Sequence, residues 1–327
     1  MPAWLKKLRV DPYVLALLAT VVVASILPVS GVAATGVNLL AKVLVAMLFF
    51  LHGARLSREA VVAGLLHWRL HLTVLAITFG LFPLLGLAIS ATHLLPASLG
   101  VGVVFLCCLP STVQSSIAFT SIARGNVAAA VCSASASNIL GMVLTPVLVG
   151  LTMHAQGAGG FSLGTLQSIA LQLLAPFIAG QILQPWVRGW IQRTSRLLGF
   201  TDRGSILVIV YSAFSEAVVQ GLWRKVGAAD LILVGAVCAA LLALVLFTTV
   251  RIARILKFNT EDEITILFCG SKKSLVSGAP MAAILFPPAT AGVMILPLML
   301  YHQMQMMACA VIAQRYAQRV QSDAPSV

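Results

Sequence analysis

The sequence predicts an all-α integral membrane protein of about ten transmembrane helices, arranged as two inverted five-helix halves around two interrupted helices that cross in the core. Three observations predict this. The 327-residue chain is 60% hydrophobic and only 9% charged, whereas soluble domains carry about 25% charged residues. Its apolar residues fall in long runs of Leu, Val and Ala, which suit helical spans of about 20 residues rather than the short alternating strands of a barrel. Two of the runs, in corresponding places of the two halves, are interrupted by polar residues. A backbone break at membrane depth needs protein or a wet cavity around it, because lipid offers no hydrogen bonds.

The runs lie near 13–29, 35–53, 70–90, 97–122, 126–153, 163–184, 204–222, 229–250, 262–286 and 289–314. Connections are short, so the chain reads as one domain, 1–327, with a first half 13–153 and a second half 163–314. The first run follows Lys6, Lys7 and Arg9 and has the look of a cleaved leader, but it is needed to complete the five-plus-five division. Run four breaks at Pro110, followed by Ser111, Thr112, Gln114, Ser115 and Ser116. Run five carries Ser133, Ser135, Ser137 and Asn138, either for close helix packing or as a polar lining. Residues 185–200 hold Trp186, Trp190, Arg188, Arg193 and Arg196, the composition of an amphipathic connector lying on the membrane surface. Run seven contains Glu216, a proton or polar partner if it faces a cavity and merely hydrated if it lies at the outer end. Glu261, Asp262 and Glu263 open run nine, where acids suit the helix dipole. Run ten carries His302, Gln303 and Gln305, either lining the core or bonding to a neighbouring helix.

The net charge is +12, but its placement argues against a nucleic-acid partner. Of the 21 basic residues, sixteen fall in connections that share a side with the N-terminus, and only Arg224 and Lys225 fall on the other; Lys42, Lys272 and Lys273 lie inside runs. That asymmetry places both termini in the cytoplasm of a multi-pass protein whose other partner is lipid. The six cysteines, all in or beside apolar runs, show no metal-ligand spacing and read as small apolar residues.

The break in run nine, CGSKKS (269–274), raises the sharpest question. A lysine at the centre of a lipid-facing helix costs about 2.5–3.5 kcal/mol, and here two stand side by side. Adjacent helical residues point about 100° apart, so one, Lys273, is expected to enter the crossing of the two breaks and bond freed carbonyls with Ser115 and Ser116. The other is expected to reach a cavity or a substrate anion. Snorkelling to an interface and a purely structural lock are the competing readings. Broken helices at matching places of inverted halves point to a midplane transport site, which puts Lys272, Lys273, Ser271, Ser274, Ser111, Thr112, Gln114, Ser115 and Ser116 at the candidate substrate or coupling site.

FFLHGARLS (49–57), SSIAFTSIARGN (115–126), CGSKKSLVSGAPM (269–281) and LPLMLYHQMQ (296–305) resemble the bile acid:sodium symporter family, in its YfeH-like subgroup, over nearly the whole chain. The resemblance implies a panel of spans 1, 2, 6 and 7 and a core of the remaining six, with sodium and an organic anion bound near the crossing. The chain departs from the sodium-coupled pattern. Ser115-Ser116 stands where a Ser-Asn pair is expected, Ala130 and Ala134 replace hydroxyl ligands, Phe268 replaces the acidic ligand, and Lys272-Lys273 replaces Gln-Asn. Residual sodium ligation at Ser115 and Ser116 would leave Na+ as coupling ion; otherwise H+ takes that part, and no other cofactor is implied. The expected function is secondary transport of a small organic anion by alternating access, across a bacterial inner (plasma) membrane. A conventional sodium-coupled symporter is the alternative. A channel is less favoured, and an intramembrane enzyme finds no HExxH, nucleophile elbow or aspartate pair to support it.

Overall fold

The computed structural model describes residues 12–55, 67–155 and 163–322, and every regular element among them is helical. Besides the one-turn helix Leu222–Lys225, these are in chain order α1 (Pro12–Ile26), α2 (Gly31–Arg55), α3 (Trp68–Ala91), α4 (Ala97–Cys108), α5 (Gln114–Ile122), α6 (Val127–Ala155), α7 (Leu163–Arg193), α8 (Ser195–Val219), α9 (Ala228–Ile255), α10 (Thr260–Gly270), α11 (Leu275–Leu285) and α12 (Pro288–Ser322). Six of these are long and apolar enough to cross a membrane: α2, α3, α6, α8, α9 and α12. Each expected run coincides with one helix, except runs four and nine, which are the pairs α4–α5 and α10–α11. Lys6, Lys7, Arg9 and Arg58 of the inside set, and the leader-like N-terminus, lie outside the described residues.

The distribution of polarity is that of a membrane protein. Val32, Ile232 and Ile255 are among the apolar side chains turned outward, at 91%, 74% and 75% exposure, while Ser111, Ser116, Ser271, Lys272 and Lys273 are fully buried. The chain is an all-α, multi-pass membrane protein.

Helices α1, α2, α7 and α8 pack as one layer, and α3–α6 with α9–α12 form the other; α8 joins them through α11 and α12, and α7 through α6. The α2–α7 contact is the tightest. A Cβ at Gly53 would collide with the Phe177 carbonyl, and one at Gly180 with the Phe50 carbonyl, so only glycine admits this backbone approach. The Gln181 side-chain amide then donates to the Gly53 carbonyl. Residues 185–200 do not form an element of their own: they are divided between the last turns of α7 and the first of α8, with Thr194 between. Trp186 and Trp190 are nevertheless exposed there.

In the second layer the ARGN turn (123–126) is tied to the acidic start of α10. Arg124 takes a left-handed conformation (φ 60°). Asn126 caps α6 by accepting from the Ala129 N–H at 3.0 Å and donates its side-chain amide to Asp262 at 3.0 Å. Asn259 caps α10, accepting from the Asp262 N–H at 2.7 Å. Glu263 accepts from Arg254 and from the Tyr316 hydroxyl. Of the three acids, Asp262 and Glu263 thus serve as interhelical clamps as well as first-turn charges.

Candidate functional site

Each break follows from its local sequence. Pro110 has no N–H to donate and disfavours the helical conformation at the residue before it, so Leu109 turns extended (φ −75°, ψ 155°) and α4 ends. Its ring packs on α6 at Gly141, where a Cβ would lie 2.7 Å from the Pro110 Cβ. In the second break the extended residue is Ser274 (ψ 112°), which caps α11 by accepting from the Ser277 N–H at 3.1 Å. The two breaks meet directly: the Ser274 N–H donates to the Pro110 carbonyl at 2.9 Å.

Unpaired main-chain groups buried in a membrane are costly, and at this crossing they are taken up one by one. The Ser111 N–H donates to the Ser137 hydroxyl (3.0 Å), and the Ser111 carbonyl accepts from Asn138 (2.8 Å). Asn138 in turn accepts from the Ser277 hydroxyl at 2.7 Å, joining α6 to α11. Thr145 donates to the Cys108 carbonyl (2.8 Å), Ser116 to that of Phe268 (2.9 Å), and Tyr301 to that of Ser271 (2.9 Å). The Gln305 side chain reads both sides of Lys273, accepting from its N–H and donating to its carbonyl, each at 2.8 Å.

The Lys273 ammonium completes the set. It donates to the carbonyls of Cys107 (2.8 Å), Leu109 (2.7 Å) and Thr78 (2.9 Å), and lies 4.0 Å over the Phe82 ring. Two of these carbonyls belong to the C-terminal end of α4, the negative pole of its dipole. The third is released by a proline. A π-helical turn at Ile77–Leu81 sends the Phe82 N–H back to the Ile77 carbonyl, and Pro83 has no N–H for the next acceptor in that ladder, Thr78. Ser115 and Ser116, expected as partners of this ammonium, bond elsewhere: Ser115 to Thr112 at 2.8 Å and Ser116 to Phe268.

Lys272 is equally buried but differently placed. Its ammonium lies 4.0 Å over the Phe119 ring and 5.8 Å from that of Phe268, with no hydrogen-bond partner among the described residues. It is not among the residues that line the cavity described below.

Beside the crossing, a cavity of about 580 Å³ opens between the two layers. The second layer contributes Thr112, Gln114 and Ser115 at the start of α5, Ser135 and Asn138 from α6, Ser274 and Ser277 at the start of α11, and His302 from α12. The first layer contributes Tyr13, His52, Arg55, Phe177, Asp202 and Arg203. Arg55 is ion-paired with Asp202, and the Arg203 guanidinium lies 5.5 Å from the centre of the Tyr13 ring.

Several expected site residues stand away from this cavity. Ser133 bonds His71 at 2.6 Å. Ser111, Ser116 and Ser271 are sealed in the crossing. Glu216 lies one turn from the end of α8, half-buried, and accepts from Gln220 at 2.9 Å; no ion pair joins it to Lys42 among the described residues. Gln303 is not a lining residue, and Gln305 is the glutamine that serves the break. His52 stood in the FFLHGARLS stretch without an assigned role, Arg203 entered only the positive-inside count, and Asp202 had no sequence signal.

The whole-chain comparison decides the relationship. Residues 11–318 match the model of the SBF-like CPA transporter family. The chain belongs to that family. An uncharacterized protein of Pseudomonas aeruginosa is 54% identical over 311 residues, covering 94% of this chain and 93% of its own. The putative symporter YfeH of Escherichia coli is 52% identical over 314 residues, covering 95% and 94%. Rat sodium/bile acid cotransporter 7 is 27% identical over 273 residues, covering 82% and 80%. Membership of the SBF-like CPA transporter family makes this chain a membrane-embedded secondary transporter and agrees with the coarser form of the motif resemblance.

Proposed function

We propose that this chain moves a small organic anion by alternating access, with sodium dependence weakened or absent because the Lys273 ammonium holds the place of a coupling cation. The observation that carries the reading is the set of three main-chain carbonyls around that ammonium. Hard cations such as sodium are held by oxygen ligands of this kind, and here a tethered cation already takes them. Coupling then falls to protons or is absent.

The remaining architecture fits this reading. Ten spans in two inverted halves, 13–153 and 163–314, would place both termini in the cytoplasm, and the cavity beside Arg55 and Arg203 would open inward. The panel α1, α2, α7 and α8 would stay in place while the core slides and exposes the crossing to either side. The first turns of α5 and α11 line the cavity, and the positive end of each helix dipole favours an anion. The bacterial relatives support an inner-membrane location.

Thermal stability of the purified full chain, in sodium against choline at fixed ionic strength, tests the reading. The expected result is no sodium-specific shift in the wild type. A sodium-specific stabilisation would instead make the chain a conventional sodium-coupled symporter, with Ser115 and its neighbours still binding the ion.

A further inference from the structure

Both lysines are closed off from the cavity, so the charge that meets a substrate there comes from other side chains. Among the described residues that line the cavity Asp202 is the sole carboxylate, and Arg55 is ion-paired with it. Arg203 remains. It lies on the cavity wall, has no carboxylate partner among the described residues, and is held in direction by the Tyr13 ring. Across from it the lining is neutral: Gln114 and Ser115 begin α5, and Ser274 caps α11.

We infer that Arg203 is the side chain that reads the substrate's anionic group, and that the ligand is a carboxylate, sulfonate or phosphate attached to an apolar, ring-sized body. The apolar part of the inference rests on Tyr13, Phe177, Phe200, Met142 and Met306, which line the same space as Arg203. A cavity of about 580 Å³ is in the range that holds such a molecule. A guanidinium presents a planar fork of donors to an oxyanion, and its stacking on Tyr13 reduces the freedom lost when the anion arrives. This assignment rests on the cavity being the substrate's site, and the test separates the two.

The test is isothermal titration of the full chain in detergent with naphthalene-2-sulfonate and with its uncharged counterpart, naphthalene-2-methanol, for the wild type, Arg203→Gln and Arg203→Lys. The wild type is expected to prefer the sulfonate. Arg203→Gln should weaken sulfonate binding by about tenfold or more, the value of a charge-assisted hydrogen bond, and leave the alcohol unchanged. Arg203→Lys should recover part of the loss. If the wild type prefers the sulfonate and Arg203→Gln binds it equally well, the assignment to Arg203 is overturned while the anion cavity stands. If the wild type shows no preference, the cavity reading falls and takes the assignment with it. An equal loss of both probes in Arg203→Gln would mean that Arg203 acts by packing on Tyr13, which also overturns the assignment.

Discussion

Lys272 and Lys273 are neighbours in sequence, equally buried, and each 4.0 Å from the centre of an aromatic ring. They differ in what their ammonium groups touch. Lys273 reaches into the first break and donates to three carbonyls, two of them at the end of α4. Lys272 points the other way, into a cluster of Phe119, Phe268 and Cys309, where it finds an aromatic face and no acceptor. A buried charge is tolerable when its environment supplies fixed dipoles and expensive when it does not. The same two-residue motif therefore contains one ammonium bonded to carbonyls and one that meets only aromatic faces.

The largest expected effect follows from removing the first of these. Lys273→Met leaves three carbonyls at membrane depth without a donor, at about 1–3 kcal/mol for each, with some recovered by relaxation. The expected loss is about 3–5 kcal/mol of stability, read as a large fall in the unfolding midpoint of the purified protein. A midpoint within a degree or two of wild type would mean that the carbonyls find other partners, and the tethered-cation reading would lose its support.

The second effect is smaller and lies on the backbone of the same residue. Gln305→Leu removes the acceptor for the Lys273 N–H and the donor for its carbonyl together. Leaving a buried pair unsatisfied is expected to cost about 2 kcal/mol. The effect should be strongly non-additive with Lys273→Met, because both act on one segment and residues sharing a network couple by about 0.5–3 kcal/mol. Additive losses in the double variant would show that Gln305 supports the break independently of the ammonium.

How much of this could be read in the sequence depends on what each feature rests on. The helices were legible because a 20-residue apolar run in lipid has few other conformations open to it. The first break was legible from Pro110. A helical turn of about 100° per residue separates the two lysines without choosing between them, and both lie in the non-helical break between α10 and α11. The partners of Lys273 were not legible. The Thr78 carbonyl is free only because a π-turn precedes Pro83, and the sequence held a hint in that proline alone. Gln303 and Gln305 are two residues apart on α12, so they face roughly opposite sides of it, and which side meets the break is set by packing between α12 and α11. Arg203 and Asp202 come to the cavity through the placement of α8 against both layers, which no local pattern records. Glu216 was nominated for being a carboxylate in an apolar run, but its place one turn from the end of α8 pairs it with Gln220.

The smallest expected effect is also the one that distinguishes the two lysines most sharply. Lys272→Met replaces an unpartnered ammonium with an unbranched apolar side chain of similar length, in a cluster already made of Phe119, Phe268 and Cys309. The variant gives up a cation–π contact, worth about 2 kcal/mol when desolvated. It gains by removing a buried amine that has no hydrogen-bond acceptor, and replacement of buried charges by well-packed apolar groups is often neutral or stabilising by about 1–4 kcal/mol. The two terms nearly cancel, so the unfolding midpoint should stay near the wild-type value or rise, in contrast to Lys273→Met. If Lys272→Met falls as far as Lys273→Met, the aromatic face of Phe119 is holding the ammonium as firmly as three carbonyls hold its neighbour, and the division into one bonded and one unbonded lysine fails. If stability is kept but transport is lost, Lys272 has a part in the cycle that the static contacts at Phe119 do not explain.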